Sequence, residues 1–232
     1  NFDLSAVVVA GTWAAAYASA QVGLTAAAKV AAGARSAFGL CRPPGHHAHA
    51  DMSGGYCFLN NVAIAAEWLR RKGGAGRVAI LDIDFHHGNG TQHLFYARED
   101  VLFVSLHADP DRQYPYFMGY ADETGTGRGL GFTRNYPLPL GCDEAQYLAA
   151  LDAACATIGA YRPEALLVSL GVDTFAGDPL GDFGLPAEVY GRIGARLAEL
   201  GAPTVFIMEG GYAIRELGEN VTSLLRGFEM PA

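Results

Sequence analysis

Four short runs of Val, Ile, Leu and Phe punctuate the chain: Arg77–Asp84, Val101–His107, Ala165–Gly171 and Pro203–Gly210. Each is bounded by Gly, Pro or polar residues, the pattern of strands buried on both faces of a parallel sheet. Helical stretches lie before and between them. Thr12–Ala32 is alanine-rich, and Asn60–Lys72 carries apolar residues at helical spacing and stops at Gly73-Gly74. Asp143–Tyr161 opens on an Asp cap and ends before Pro163, while Pro186–Leu200 has Pro in its first turn and ends at Gly201. This alternation predicts an α/β fold, a mostly parallel sheet with helices on both faces. No repeat or linker divides residues 1–232, so a single domain is expected. The stretch Asp109–Tyr136 is Gly-rich, aromatic and without period, and loops of that length inside a compact domain are usually functional.

Composition narrows the class. Half of the 232 residues are hydrophobic and 17% are charged, which excludes a disordered chain, a coiled coil and a collagen-like repeat. Sixteen Lys and Arg against 24 Asp and Glu leave a formal charge of −8. That argues against gripping nucleic acid through its phosphates and suits a cationic partner or plain solubility. No apolar run of about 18 residues predicts a membrane span. The alanine-rich 6–34 stretch lacks a basic leader and reads as a buried helix. Cys41, Cys57, Cys142 and Cys155 fit no zinc-ribbon spacing and read as free thiols of a cytoplasmic protein. The chain opens on Asn-Phe-Asp without an initiator Met.

All seven histidines lie between His46 and His107, and five fall in two clusters. One is Arg42-Pro43-Pro44-Gly45-His46-His47-Ala48-His49. The other is Leu81-Asp82-Ile83-Asp84-Phe85-His86-His87-Gly88-Asn89-Gly90, at the carboxyl end of a predicted strand, where open α/β sheets bind ligands. Strand alternation would put Asp82, Asp84 and His86 on one side. Three buried polar groups there are costly unless something pairs with them, and a divalent metal does so. Asp84 and His86 suit zinc, and Asp173, just past another strand, is the candidate third ligand. The plainer readings are a hydrogen-bonded Asp84–His86 pair and a helix cap at Asp173.

A metal hydrolase also needs a proton acceptor for water and a donor for the leaving amine, work that His46 and His47 could divide. Asp82 would hold one imidazole and Asn89 the other, the neutral amide leaving its histidine less basic. Glu209-Gly210-Gly211-Tyr212 follows a strand, and Tyr212 could donate to a carbonyl oxygen. Single residues of this kind are more often packing, and His49, His87, His93 and His107 read as ordinary. Gly125–Gly131 has GxGxGxG rather than phosphate-loop spacing, and no GxSxG elbow supplies a serine nucleophile.

RPPGHHA, GGYCFLNN, LDIDFHHGNGTQ, SLGVDTFAGDP and EGGY, in that order, resemble the histone deacetylase superfamily. GYCFLNN, DFHHGNGTQ, FMGYADETGTG and EGGY are most similar to its bacterial acetylpolyamine amidohydrolase branch. The resemblance runs through nearly the whole chain. It implies the three-layer α/β/α arginase/deacetylase fold and zinc on Asp84, His86 and Asp173. It implies that His46 pairs with Asp82 and that His47, the general base and acid, pairs with Asn89, where some members have Asp. Tyr212 would polarise the substrate carbonyl. Gly55 and Tyr56 would form one wall of an acyl-amine channel, and Tyr114, then Phe117, the facing wall. A structural potassium is implied at Asp82, Asp84, His86, Ser105 and Leu106. The branch also implies a homodimer, closed by a loop near the amino terminus that is not visible in this sequence. Beside the family, about the first third of the usual catalytic domain is expected to lie ahead of Asn1.

Several functions compete on these residues. The first is a zinc-dependent deacetylase of small cationic N-acetylated amines such as acetylpolyamines. A protein acetyl-lysine deacetylase would use the same groups. A metal-bound binding module without turnover would need no proton shuttle. An arginase-like dinuclear manganese enzyme would need more bridging carboxylates than the sequence offers.

Overall fold

The computed structural model describes Asn1 and Asp3 to Met230. Its elements are α1 (Thr12–Ala31), β1 (Ser36–Gly39), α2 (Asn61–Arg71), β2 (Val78–Asp82), α3 (Asn89–Phe95), β3 (Val101–Ala108), β4 (Thr133–Leu138), α4 (Glu144–Tyr161), β5 (Ala165–Leu170), α5 (Val189–Glu199), β6 (Thr204–Met208) and α6 (Leu217–Glu229). The six strands form one sheet in the order β1-β6-β5-β2-β3-β4, and every neighbouring pair is parallel.

Because successive side chains leave a strand on opposite faces, the central runs feed two cores. Leu81, Val104, Val168 and Phe206 pack with Leu151 of α4, Ile193 of α5 and Leu224 of α6. Ile80, Phe103, Leu167 and Ile207 pack with Ala27 of α1 and Val62 and Leu69 of α2. Three layers result, as expected. Asn60 caps α2 by accepting from the Ala63 amide, and Asp143 and Gln146 close a capping box on α4. Among the described residues, no helix is long and apolar enough to cross a membrane.

The four expected strands are all present, three of them shorter by one to three residues and β3 longer by one. Four elements lay outside the sequence expectation. β1 is only four residues long, and β4, which starts inside the expected loop, carries Arg134 and Pro137 on an outer strand. α3 and α6 are the others. A second difference matters more. The run Arg77–Asp84 stops being a strand at Asp82, so Asp84 and His86 do not share a pleat with it. Asp82 Oδ1 accepts from the Asp84 amide at 3.2 Å, and Asp84 Oδ1 from the His86 amide at 2.8 Å. These side-chain bonds two residues along offer the backbone an alternative to the ladder and wind it into a loop.

Candidate active site

Chain order explains where the chemistry collects. β2, β3 and β4 lead toward one sheet edge, then β5 returns to the other side of β2 and β6 continues away. The reversal opens a crevice at the carboxyl ends of β2 and β5. Asp84 and His86 follow β2, Asp173 follows β5, and Glu209–Tyr212 follow neighbouring β6. The loop after β1 brings in His46 and His47.

Asp84, His86 and Asp173 each offer a ligand atom, all within 4.8 Å of one another, and theirs is the group of this kind found among the described residues. His86 Nδ1 lies 3.0 Å from Asp173 Oδ2 and 3.3 Å from Asp84 Oδ1. Asp84 Oδ2 accepts from the Gly210 amide at 2.8 Å, and Asp173 Oδ1 from the Phe85 amide at 2.8 Å. The space between the carboxylates is kept open by Gly210: a Cβ there would stand 2.6 Å from Asp173 Oδ2 and 2.7 Å from Asp84 Oδ2. Burial and then the Asp84 charge push Asp173 up to about 7. Burial opposes a charge on His86, but its bonds to Asp173 and Asp84 prevail and raise it to about 9. Two buried carboxylates and an imidazole, converging on a space that one added methyl would fill, fit a divalent cation.

The two histidines are held differently. Their rings lie 4.0 Å apart. His46 Nδ1 is 3.0 Å from Asp82 Oδ2, while His47 Nδ1 is 2.7 Å from Asn89 Oδ1. Burial disfavours a charge on His46, but Asp84 and Asp82 outweigh it and raise the imidazole well above its ordinary value. For His47, burial and the His46 and His86 charges act together and hold it well below. Asn89 can only accept at Oδ1, so His47 carries its proton on Nδ1 and leaves Nε2 as the basic atom.

A cavity of ≈ 380 Å³ leads to these groups. His47, His86, Gly55, Tyr56, Tyr114 and Tyr212 line it, with Asp3, Gln113 and Leu180. The Tyr114 ring stands 4.9 Å from that of His47, and the Tyr56 ring 6.1 Å from that of Tyr212. Phe117 is not brought in: it is 71% exposed and packs near Tyr116 outside the cavity. Its backbone and that of Tyr116 are both left-handed, at φ 58°. Asp82 faces Ser105 across the β2–β3 register, and Leu106 is buried beside them in the sheet. A larger groove of ≈ 580 Å³ along α2 holds none of these residues.

Sequence reasoning missed three carboxylates. Glu209 Oε2 accepts from the Gly45 and His46 amides at 2.7 and 3.1 Å, fixing the histidine loop. Asp178 Oδ2 accepts from the Tyr212 and Ala213 amides at 2.6 and 3.0 Å. Asp3 Oδ2 accepts from the Gly55 amide at 2.9 Å and from the Tyr114 hydroxyl. Glu209 and Asp178 sit inside conspicuous motifs, EGGY and AGDP. Asp3 sits in an opening stretch with no pattern at all.

The Histone deacetylase domain profile matches residues 2–228. The chain belongs to the histone deacetylase domain family. It is 57% identical to acetylpolyamine amidohydrolase 1 of Pseudomonas aeruginosa over 99% of this chain and 66% of that protein. It is 51% identical to acetylpolyamine amidohydrolase of Mycoplana ramosa over 94% of this chain and 63% of that one. A crystal structure of acetylpolyamine aminohydrolase from Burkholderia pseudomallei superposes with a TM-score of 0.91 at 48% identity, over 93% of this chain and 63% of that one. The chain therefore spans a little under two thirds of the length of these relatives, and the arginase/deacetylase-like fold expected from the motifs is the one found.

Proposed function

We propose that residues 1–232 belong to the catalytic domain of a zinc-dependent amidohydrolase that converts acetylpolyamines, or similar small N-acetylated amines, to free amine and acetate. The observation that carries this is the unequal histidine pair beside a metal-competent triad: His46 Nδ1 meets a carboxylate, Asp82, at 3.0 Å and His47 Nδ1 an amide oxygen, Asn89, at 2.7 Å. A module that only bound its ligand would have no use for that asymmetry. The names of the relatives support the polyamine substrate, and the net charge of −8 suits a cation.

Zinc would be held by Asp84, His86 and Asp173, and when bound it supplies a Lewis acid and a more acidic water. The chain's own groups do the rest. Tyr56 and Tyr114 confine a thin acyl-amine chain. Tyr212 donates its hydroxyl proton in a hydrogen bond to the amide carbonyl oxygen as charge grows there. His47 Nε2 takes the proton of the attacking water and returns it to the leaving nitrogen as the C–N bond breaks. The charge favoured on His46 disfavours a second one on His47, which is therefore neutral when the water attacks. Potassium is assigned to Asp82, Asp84, His86, Ser105 and Leu106, supported by the buried pairing of Asp82 with Ser105. The exposed Leu4, Val7, Val8, Val9 and Trp13 support a homodimer. The unpaired cysteines support a cytoplasmic site.

The reading is tested by a substrate panel on zinc-loaded protein, with a chelator control. Acetylputrescine should be hydrolysed faster than an acetyl-lysine peptide, and chelation should stop both. A clear preference for the peptide would move the assignment to a protein deacetylase.

Asn89→Asp tests the role of His47. A carboxylate at Nδ1 favours the imidazolium and raises its pKa. Since the base works in its neutral form, the acidic limb of kcat/KM should move to higher pH. An unmoved limb would take His47 out of that role.

A further inference from the structure

The wall that carries Tyr114 belongs to a loop, residues 109–132, between β3 and β4. Gln113 and Tyr114 face the cavity, and Met118 Sδ lies 3.7 Å from Asn89 Nδ2, beside the partner of His47. Tyr114 is tied to Asp3 at one end of this segment, and behind its other end, at Gly119 and Tyr120, lies a polar cluster.

Both backbone groups of Gly119 are taken. Its amide donates to both Glu123 carboxylate oxygens at 3.1 Å, and its carbonyl faces His107 Nε2 at 2.9 Å. Tyr120 N–H also donates to Glu123 Oε1, at 3.2 Å. Gly119 sits at φ +97°, and a Cβ would lie 2.6 Å from His107 Nε2, so the loop reaches this depth only through a glycine. Glu123 Oε2 in turn accepts from Gln92 Nε2 of α3. Gln92 Oε1 is already engaged, by Asn135 Nδ2 at 2.8 Å and His87 Nε2 at 3.1 Å. Asn135 Nδ2 also donates to the Tyr120 carbonyl, at 3.2 Å. Gln92, Asn135, His87 and His107 are all buried.

The donor and acceptor count leaves one solution. With two donors on its oxygen, Gln92 must present its NH₂ outward. The group it meets must therefore accept from Gln92 and from two backbone amides, which a carboxylate does and an amide cannot. We propose that Glu123 is a positioning residue for the deacetylation proposed above, on which this inference rests. Its carboxylate clasps the Gly119–Tyr120 backbone to Gln92 and so holds the 113–118 segment, with Tyr114, beside His47.

The test is a four-protein cycle in the zinc-loaded full chain: wild type, Glu123→Gln, Gln92→Glu and the double exchange. Glu123→Gln sets donor against donor, and Gln92→Glu sets carboxylate against carboxylate. The double exchange restores complementarity. The carboxylate then at position 92 accepts from His87, Asn135 and the new amide, while the amide oxygen at position 123 accepts from the loop. Each single variant should speed amide hydrogen exchange in 113–120 by about tenfold, the scale of a buried bond left unpaired. Exchange in β2 and β5 and the zinc content should not change. KM for the acetylated amine should rise by about tenfold with kcat within about threefold, and the double exchange should recover most of both losses. Unaltered exchange in both single variants, or a double variant no better than the worse single one, would overturn the clasp. Exchange that responds while KM stays put would overturn its part in the reaction. Protection that follows the cycle in a wild type unable to hydrolyse any acetylated amine would retire the deacetylase reading and leave the clasp standing.

Discussion

Asp173→Asn is expected to lower kcat/KM by roughly a hundredfold or more, since groups that only support a metal ligand already contribute roughly ten- to a hundredfold. The substitution is chosen to spare the fold. Asn retains an oxygen for the Phe85 amide that Asp173 Oδ1 now holds at 2.8 Å, so what is removed is the charge. Elemental analysis should show zinc lost in parallel with activity. Full zinc occupancy with activity near wild type would show that Asp173 is no ligand. Stability offers an independent check in metal-free protein. Asp173 is an acid whose folded-state pKa is raised from 3.8 to about 7 by burial and by the Asp84 charge. Between those values the folded state binds the extra proton, so stability should fall as pH rises through that window. The substituted amide cannot ionise, so the variant should show a flatter melting profile there. An equal slope in both proteins would mean that the two carboxylates do not confront each other.

His47→Ala should reduce kcat by about a thousandfold, within the range attributed to a positioned general acid–base group, while zinc content stays at the wild-type level. Three features concentrate the effect on this one ring. It is buried beside His46, and both burial and the His46 charge disfavour a charge on it. Its Nδ1 proton is committed to Asn89 at 2.7 Å. Its ring also lines the cavity. A loss confined to KM would mean that His47 only shapes the channel beside Tyr114, and the proton transfer would have to be sought elsewhere.

Much of this arrangement is legible in the residues. The four buried runs, the Asp143 cap, the Gly73-Gly74 stop and the strand–helix alternation announce a parallel three-layer fold, because apolar periodicity and capping are local properties. The motifs announce the triad and the histidine pair. Short or polar elements were not legible: β1 and β4 exist because neighbours supply their ladders, not because their side chains prefer them. The strand drawn through Asp84 failed for a local reason, two carboxylates each capturing the backbone amide two residues along. Phe117 stands exposed outside the cavity that Tyr114 lines, because which side of an irregular loop faces the site is not encoded in any local period.

The sequence by itself determined which chemical groups are available and that each candidate ligand sits at or near the carboxyl end of an expected strand. Only the tertiary structure decided which groups meet. His86 and Asp173 are 87 residues apart in the chain, yet Nδ1 of one lies 3.0 Å from Oδ2 of the other, because the reversal of strand order between β2 and β5 opens one crevice for both. The same packing sets His46 on a carboxylate and His47 on an amide, a pairing that the family resemblance implied and the residue pattern alone left open. It also brings Asp3 and Glu209 to backbone amides in distant segments. Hydrogen bonds of that kind depend on which loops become neighbours, and the sheet settles that only once all its strands are in register.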